Sequence, residues 1–479
     1  MEKSKSLITK IVVGVSLIIN IFFIYFVFKY KILPLRYRNV LAILLGVILC
    51  IFVYIGFIKK KKSKPLKVIS ILFLLALSIC QLSIISYAKK SIDTLEKINS
   101  KVEEQNEMSL IVLKDSNIKT IRDAFGREIA TAESFDKENT EKILLEYSEK
   151  YSADLKTKDF ANYILSANSL MNKESDVMLL NESFRSILEE SIDGFSEKTR
   201  VLDSKVIEAK KTNTQEKKQV EEDKSFNVYI SGIDTYGSLS TVSRSDVNMI
   251  LSVNPVKNKI LITTIPRDTY LAIGGDKDKF DKLTHAGLFG IDTSIKSLES
   301  LLDIDIDYYG KVNFTSLTEL INALGGIKVD NPVAFESSSG KYYFPQGEID
   351  MDGDKALAFS RERYHQEEGD FDRGKNHTRV LTGIINKILS YDILMNFSQI
   401  SNIVLESVNT DISYDKIIEL VNNQLSDGGD WKIDTQALRG WGESGLSSYL
   451  MPESNLYMMR VDEDSVKEIH EKIIENNKE

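Results

Sequence analysis

Cysteine is nearly missing from this 479-residue sequence: Cys50 and Cys80 are its only two, and both lie inside apolar runs. Everything beyond residue 90 must therefore fold without a disulfide. Proline is absent and glycine occurs only twice between residues 91 and 222, which marks that stretch as helix-prone. An excess of basic residues is missing from the larger part of the chain. The first ninety residues carry fifteen Lys or Arg and one acid, so the overall net charge of -9 leaves about -23 for the remainder. A nucleic-acid partner is excluded there, because such binding relies on a broad basic surface that neutralises phosphates. No helix-turn-helix pattern or basic reading helix is visible either, which argues against a transcriptional regulator. At this length, with 43% hydrophobic residues, two or three folded units with sizeable cores are expected.

Long apolar runs are plentiful at the N-terminus. Three of them, at 11–28, 39–58 and 68–88, each match the twenty or so residues that cross a bilayer, and basic residues flank them. A cleaved signal peptide would give a single shorter run. Lys3, Lys5 and Lys10 precede the first span, and Lys59, Lys60, Lys61, Lys62, Lys64 and Lys67 separate the second from the third. The loop between spans one and two holds only Lys29, Lys31, Arg36 and Arg38. Positive residues favour the cytoplasmic side, so the chain after residue 90 is expected outside the cell. Lys89 and Lys90 oppose that orientation.

Residues 91–224 read as a mainly helical accessory domain, with apolar residues at helical spacing in Lys142–Tyr151 and Asp176–Ile192, ending in a charged linker or exposed helix at Asp203–Lys224. The character changes at Phe226. β-type runs at Phe226–Ser231, Asn248–Val253 and Lys259–Ile265 are followed by amphipathic helical patterns at Gly290–Leu302, Phe314–Leu324 and Lys375–Leu389. Such alternation points to an α/β domain layered around a mixed sheet over 225–479, with the tail beyond 410 supplying a helix, a strand near Leu456–Val461 and a closing helix to the same domain.

Four polar clusters sit at the ends of these elements, where α/β proteins hold ligands. They are Gly232-Ile233-Asp234, Ser243-Arg244-Ser245-Asp246, Pro266-Arg267-Asp268-Thr269, and Ser360-Arg361-Glu362-Arg363-Tyr364 with the run Gly369 to His377 that follows it. In extended chain Arg244 and Asp246 share a face, as do Arg361 and Arg363, and on a helix Arg373 and His377 lie on one side. Any single Arg-Asp pair reads more readily as a structural salt bridge. Five arginines gathered at element ends in an acidic domain reverse that balance, because converging like charges need an anion, and the guanidinium fork suits phosphate. Asp234 and Asp246 supply the hard oxygen atoms that Mg²⁺ prefers.

The order Gly-x-Asp, Arg-Ser-Asp, Pro-Arg-Asp-Thr, Lys-x-x-His-Ala, Arg-x-Arg and Gly-Asp-x-x-Arg, over residues 225–395, resembles that of the LytR-CpsA-Psr family. The three-span anchor with an accessory domain is similar to its capsule-type members. The resemblance implies a layered α-β-α fold and an Mg²⁺-dependent phosphotransferase that moves a capsular or wall glycan from a polyprenyl-pyrophosphate lipid carrier to peptidoglycan, at the cell membrane and with other capsule assembly proteins as candidate partners. It assigns Mg²⁺ to Asp234 and Asp246, and the pyrophosphate to Arg244, Arg267, Arg361, Arg363 and Arg373, with Lys282 and His377 beside them. Asp234, Asp246 and Arg267 would be the catalytic residues. His377 departs from the Gln that family members often carry. The apolar helix faces are ordinary core by pattern; the resemblance adds a lipid pocket beneath them. The general base is open among Asp234, Asp268, His285 and His377. Two other activities fit the same residues: a non-catalytic scaffold that binds the lipid-linked glycan, and a pyrophosphatase that hydrolyses the carrier.

Overall fold

The computed structural model describes residues 2–31, 33–54, 64–101, 104–152, 154–208, 221, 223–235, 238–362, 370–390 and 406–478, which gather into two compact units. The first contains α1 (Glu2–Lys29), α2 (Leu35–Val53) and α3 (Lys64–Lys101). Segments Lys10–Lys29, Leu35–Val53 and Val68–Ser86 are long and apolar enough to cross a membrane, in close register with the three expected spans. Phe23, Phe26 and Val27 of α1 pack with Leu45 of α2 and Ile85 of α3. The amphipathic helix Tyr414–Asp427, expected from sequence to complete the α/β domain, clusters with these three helices instead. There the Asn422 side-chain amide donates to the Lys31 carbonyl at 2.7 Å.

The second unit contains two mixed sheets. One is formed by β1 (Gln105–Leu113), β2 (Glu128–Thr131), β3 (Lys156–Asp159), β4 (Val177–Asn181) and β5 (Thr199–Glu208), in the order β3-β2-β4-β1-β5. Residues expected as mainly helical thus carry a five-stranded sheet. The misreading has a physical cause in β4, whose five residues are all buried. Met178 and Leu180 join one apolar cluster while Val177 and Leu179 join another, so both faces of the strand are covered and the period-two signal vanishes. The helix Lys137–Tyr151 does form as its pattern predicts, burying Ile143 and Tyr147. The charged stretch expected as linker or helix from Asp203 is strand as far as Glu208, and its residues 209–220 lie outside those described.

The other sheet is built on β6 (Phe226–Ile233), β7 (Ser245–Asn254) and β8 (Lys259–Ile265), matching the three expected runs. A small antiparallel pair follows, β9 (Tyr270–Ala272) with β10 (Phe280–Lys282). Then β11 (Tyr308–Asn313) returns parallel to β6, and segments Asn409–Thr410 and Lys432–Ala437 close the two edges. Alternation along the strands sends Tyr229, Ile250, Leu261 and Ile265 to one face, against Leu298 and Leu302 of the helix Ile291–Leu302 and Ile469 and Ile473 of the helix Glu463–Asn477. Thr264, on the opposite face, meets Thr378 of the helix Asp370–Ile388 at 2.9 Å. The result is the layered α-β-α arrangement that the helix and strand alternation implies.

Contacts of several kinds join the two sheets, an apolar cluster first among them. It runs from Phe184, Ile187 and Leu188 of the first to Leu288, Leu450 and Met451 of the second. Another contact is ionic. Glu104, just ahead of β1, accepts from the Lys311 ammonium at 2.8 Å and from the Ile291 amide at 2.9 Å. Lys311 lies on β11 and is 2% exposed. Removing one partner of a buried pair leaves an uncompensated charge and typically costs about 3–5 kcal/mol. Glu104→Ala should therefore lower the denaturation midpoint of the full chain sharply, whereas Glu104→Leu combined with Lys311→Met should recover most of the loss. Equal midpoints for Glu104→Ala and the wild type would show that the pair is dispensable.

Candidate functional site

Strand polarity gathers the polar clusters at one edge of the six-stranded sheet. β6, β8 and β11 point the same way and β7 the opposite way, so Asp234, the start of β7 and the Pro266-Arg267-Asp268 turn all emerge at that edge. Gly232 pairs with Val247 but Ile233 pairs with Ser245, which leaves Asp246 as an extra residue in β7. A bulge of this kind re-aims a side chain out of the sheet's alternation. Below it, Ser245 turns inward to Ser231 at 2.8 Å, and the Tyr229 hydroxyl donates to Asn248 at 2.6 Å. This buried polar ladder anchors the strand start beneath the site.

Asp246 is the centre of the resulting network. Its Oδ2 accepts from Arg267 Nη1 and its Oδ1 from the Thr284 hydroxyl, both at 3.0 Å. Asp268 then links Arg267 to Lys282, with its Oδ2 at 3.6 Å from Arg267 Nε and its Oδ1 at 2.9 Å from Lys282 Nζ. The turn itself is held by the Thr269 hydroxyl, which donates to the Pro266 carbonyl at 2.6 Å, and by the Thr284 amide, which donates to the Arg267 carbonyl at 2.9 Å. Sequence reasoning missed Thr284 as a member of the site, although it stands between Lys282 and His285 in the quoted motif. A threonine hydroxyl carries no charge pattern that would single it out.

His377 reaches this network from the helix Asp370–Ile388, where Arg373 lies one turn earlier. Burial pushes its pKa down to about 3, the Arg373 charge lowers it further, and Asp246 and a hydrogen bond to the Ser360 backbone oppose that shift only in part. The ring is therefore neutral at physiological pH. It donates to the backbone of Ser360, so it can serve as a hydrogen-bonding group but is too weak a base to take a proton near pH 7. His285 is engaged elsewhere: its Nδ1 lies 2.7 Å from Asp281, whose other oxygen accepts from Ser448 Oγ and the Leu450 amide, both at 2.8 Å. Burial raises the Asp281 carboxyl, but His285 and these donors outweigh it, and its pKa ends below the ordinary value. His285 and Asp281 are a core pair rather than part of the exposed edge.

The remaining candidates are distributed more widely than spacing suggests. Arg244 pairs with Glu190 from the helix Arg185–Ser191, so it and Asp246 take separate partners. Arg361 is the last residue of the helix Gly353–Arg361, not part of an extended segment, and its guanidinium stacks 4.4 Å from the Phe314 ring. Arg363 lies outside the described residues. Asp234 is exposed at the end of β6, and beside it the Thr235 hydroxyl is buried with no hydrogen-bond partner among the described residues.

One measurement follows from the His377 environment. With only four histidines in the chain, ring-labelled NMR of the full-length protein can assign its titration. Wild-type His377 should show no transition between about pH 5 and 8, and Arg373→Ala should raise its pKa while leaving it below about 6.5, because burial is the larger cause. A wild-type transition near 6.5 would contradict this environment.

The LytR_cpsA_psr family model matches residues 192–474. A polyisoprenyl-teichoic acid–peptidoglycan teichoic acid transferase TagU of Enterococcus faecalis is 36% identical over 234 residues, 48% of this chain and 76% of that relative. The TagU of Bacillus cereus strain ATCC 14579 is 30% identical, covering 50% of this chain and 78% of the relative. The crystal structure of B. subtilis TagV shares 27% identity, covers 53% of this chain and 98% of that one, and superposes loosely at a TM-score of 0.46. A model described as DNA polymerase processivity factor also matches residues 60–180, a stretch that runs through α3 and covers far less than half of the chain.

Proposed function

The chain belongs to the LytR-CpsA-Psr family, and from that membership we propose that it is a membrane-anchored transferase that takes a glycan from a polyprenyl-pyrophosphate carrier and joins it to peptidoglycan through a phosphodiester. The TagU relatives are named for transfer of teichoic acid from a polyisoprenyl carrier to peptidoglycan. The observation that carries the reading here is the network of Arg267, Lys282 and Thr284 with the carboxylates of Asp246 and Asp268 at the sheet edge. We read residues 1–90 as the anchor, 91–224 as the accessory part and 225–479 as the catalytic part, the latter two on the outer side of the membrane. A capsular polysaccharide as the glycan, with other capsule assembly proteins as neighbours, is the finer form of this proposal.

Phosphoryl transfer asks the protein mainly to position groups and to neutralise charge as it develops. Arg244, Arg267, Arg361, Arg363, Arg373 and Lys282 are the cations assigned to the pyrophosphate. Arg267 is held in advance by Asp246 and Asp268, so its guanidinium needs no reorganisation when the anion arrives. The same cations would hold the departing polyprenyl phosphate. Neutral His377, its single N–H given to the Ser360 backbone, offers these cations only an acceptor nitrogen. Among the base candidates, His377 is too weak, His285 is paired with Asp281, and both oxygens of Asp268 face cations. Asp234 remains the least encumbered.

Oxygen donors suited to a hard cation are present in Asp234, Asp246 and the buried Thr235 hydroxyl, which has no partner among the described residues. No cluster of three or more His, Cys, Asp or Glu occurs among the described residues. That pattern fits Mg²⁺, which is commonly held by one or two carboxylates together with substrate phosphate and water, and does not fit an all-protein cage. Asp234 and Asp246 would be its ligands, and a bound Mg²⁺ would supply charge neutralisation at the phosphoryl oxygens.

Arg267→Ala and Asp246→Asn tested in full-length protein should each lower glycan attachment to peptidoglycan by about 100-fold or more while the chain stays folded and membrane-inserted. Normal attachment by both variants overturns the catalytic assignment. Release of free glycan phosphate by the wild type with no wall attachment would favour hydrolysis of the carrier, and retention of the lipid-linked glycan without turnover would favour a binding scaffold.

A further inference from the structure

Arg244 differs from its neighbours in where its counterion comes from. Arg267 and Lys282 meet carboxylates of the same α/β domain, whereas Arg244 Nη1 donates to Glu190 of the five-stranded-sheet domain, 54 residues earlier in the chain. Local helix preference does not explain an acid there. Glu190 stands in the last turn of the helix Arg185–Ser191, a turn that holds no basic residue, and a carboxylate at that end is opposed by the helix dipole. Tertiary packing explains it. Ile187 and Leu188, 2% and 0% exposed, fix this helix in the apolar cluster that includes Leu288. Glu190 follows Ile187 by three residues and so flanks the buried stripe.

The Arg244 backbone is fixed from a second direction. A Cβ on Gly287 would approach the Ser243 carbonyl oxygen to 2.7 Å and the Ser245 amide nitrogen to 2.8 Å, so only glycine lets the turn after His285 pack so closely against the loop that carries Arg244. The backbone is therefore held by Gly287 and the side chain by Glu190. A guanidinium presents five N–H donors in a rigid fork, so one nitrogen given to a carboxylate leaves the others available to an anion.

We propose that Glu190 is a positioning residue for Arg244, through which the accessory domain pre-orients a pyrophosphate-binding guanidinium of the catalytic domain. The inference rests on the reading of Arg244 given above. An arginine held in advance loses less freedom when the pyrophosphate binds, so the effect belongs to substrate binding rather than to the chemical step.

The test measures KM and kcat of the full-length protein with a polyprenyl-pyrophosphate-linked glycan as substrate. Glu190→Ala should raise KM about 5- to 10-fold with kcat within about twofold of wild type, the scale expected of coupled neighbours. Glu190→Gln, which keeps the acceptor oxygen, should return KM to within about threefold. Arg244→Ala should raise KM further, and adding Glu190→Ala to it should change nothing more. Because Glu190 is partly exposed, thermal midpoints should match wild type throughout. A raised KM in Arg244→Ala with an unchanged or lowered KM in Glu190→Ala overturns the inference alone. Independent effects in the double variant also overturn it. An unchanged KM in Arg244→Ala overturns the pyrophosphate reading of that arginine and the inference with it.

Discussion

Like charges brought together at one sheet edge repel, and the arrangement of this site follows from how that repulsion is offset. Arg267 and Lys282 approach each other because Asp246 and Asp268 stand between and beside them. Asp246 can do so because a bulge in β7 takes it out of the pleat's alternation. The hydroxyl of Thr284 fills its other oxygen, and His377, kept neutral by burial and by Arg373, adds a polar group without adding a charge. The cations are thus oriented in advance by the carboxylates that hold them, as the proposed binding of a pyrophosphate asks.

The same principle extends across the domain boundary. The accessory sheet domain contributes Glu104 to the buried ammonium of Lys311 and Glu190 to the guanidinium of Arg244. Both acids are carried by segments that are also fixed by apolar packing or by backbone pairing: the Gln105 amide donates to the Ser240 carbonyl at 2.8 Å, and Phe184, Ile187 and Leu188 share a cluster with Leu288, Leu450 and Met451. An acidic domain thus supplies counterions to a basic edge, and the apolar contacts set where those counterions lie.

Much of this molecule was legible in its sequence, unevenly. The three apolar helices and the strands β6, β7 and β8 were readable because bilayer thickness and strand periodicity act on contiguous residues. The accessory sheet was not readable, since β4 is covered on both faces and loses its alternation, and the scarcity of glycine and proline in that region suggested helix. The helix Tyr414–Asp427 is legible as a helix, but amphipathicity says that a face is buried and not against what: it clusters with the three apolar helices although it lies within the stretch that the family model matches. Among the candidate residues, Asp246, Arg267 and Lys282 are linked to one another by way of Asp268, and His377 feels the charges of Arg373 and Asp246. Thr284 and Glu190 were invisible: one is uncharged, and the other lies in a region with no motif at all.

The sequence by itself determined the membrane-length helices, the α/β character of the C-terminal part, the acidic balance and the set of arginines and aspartates that marks the family, because each depends on residue identity and local spacing. Only the tertiary structure decided which carboxylate meets which cation. Arg244 and Asp246 are two residues apart, yet one turns to Glu190 and the other to Arg267 and Thr284. Those pairings depend on a register shift between β6 and β7 and on apolar packing between two sheets, which are long-range properties that no local pattern encodes.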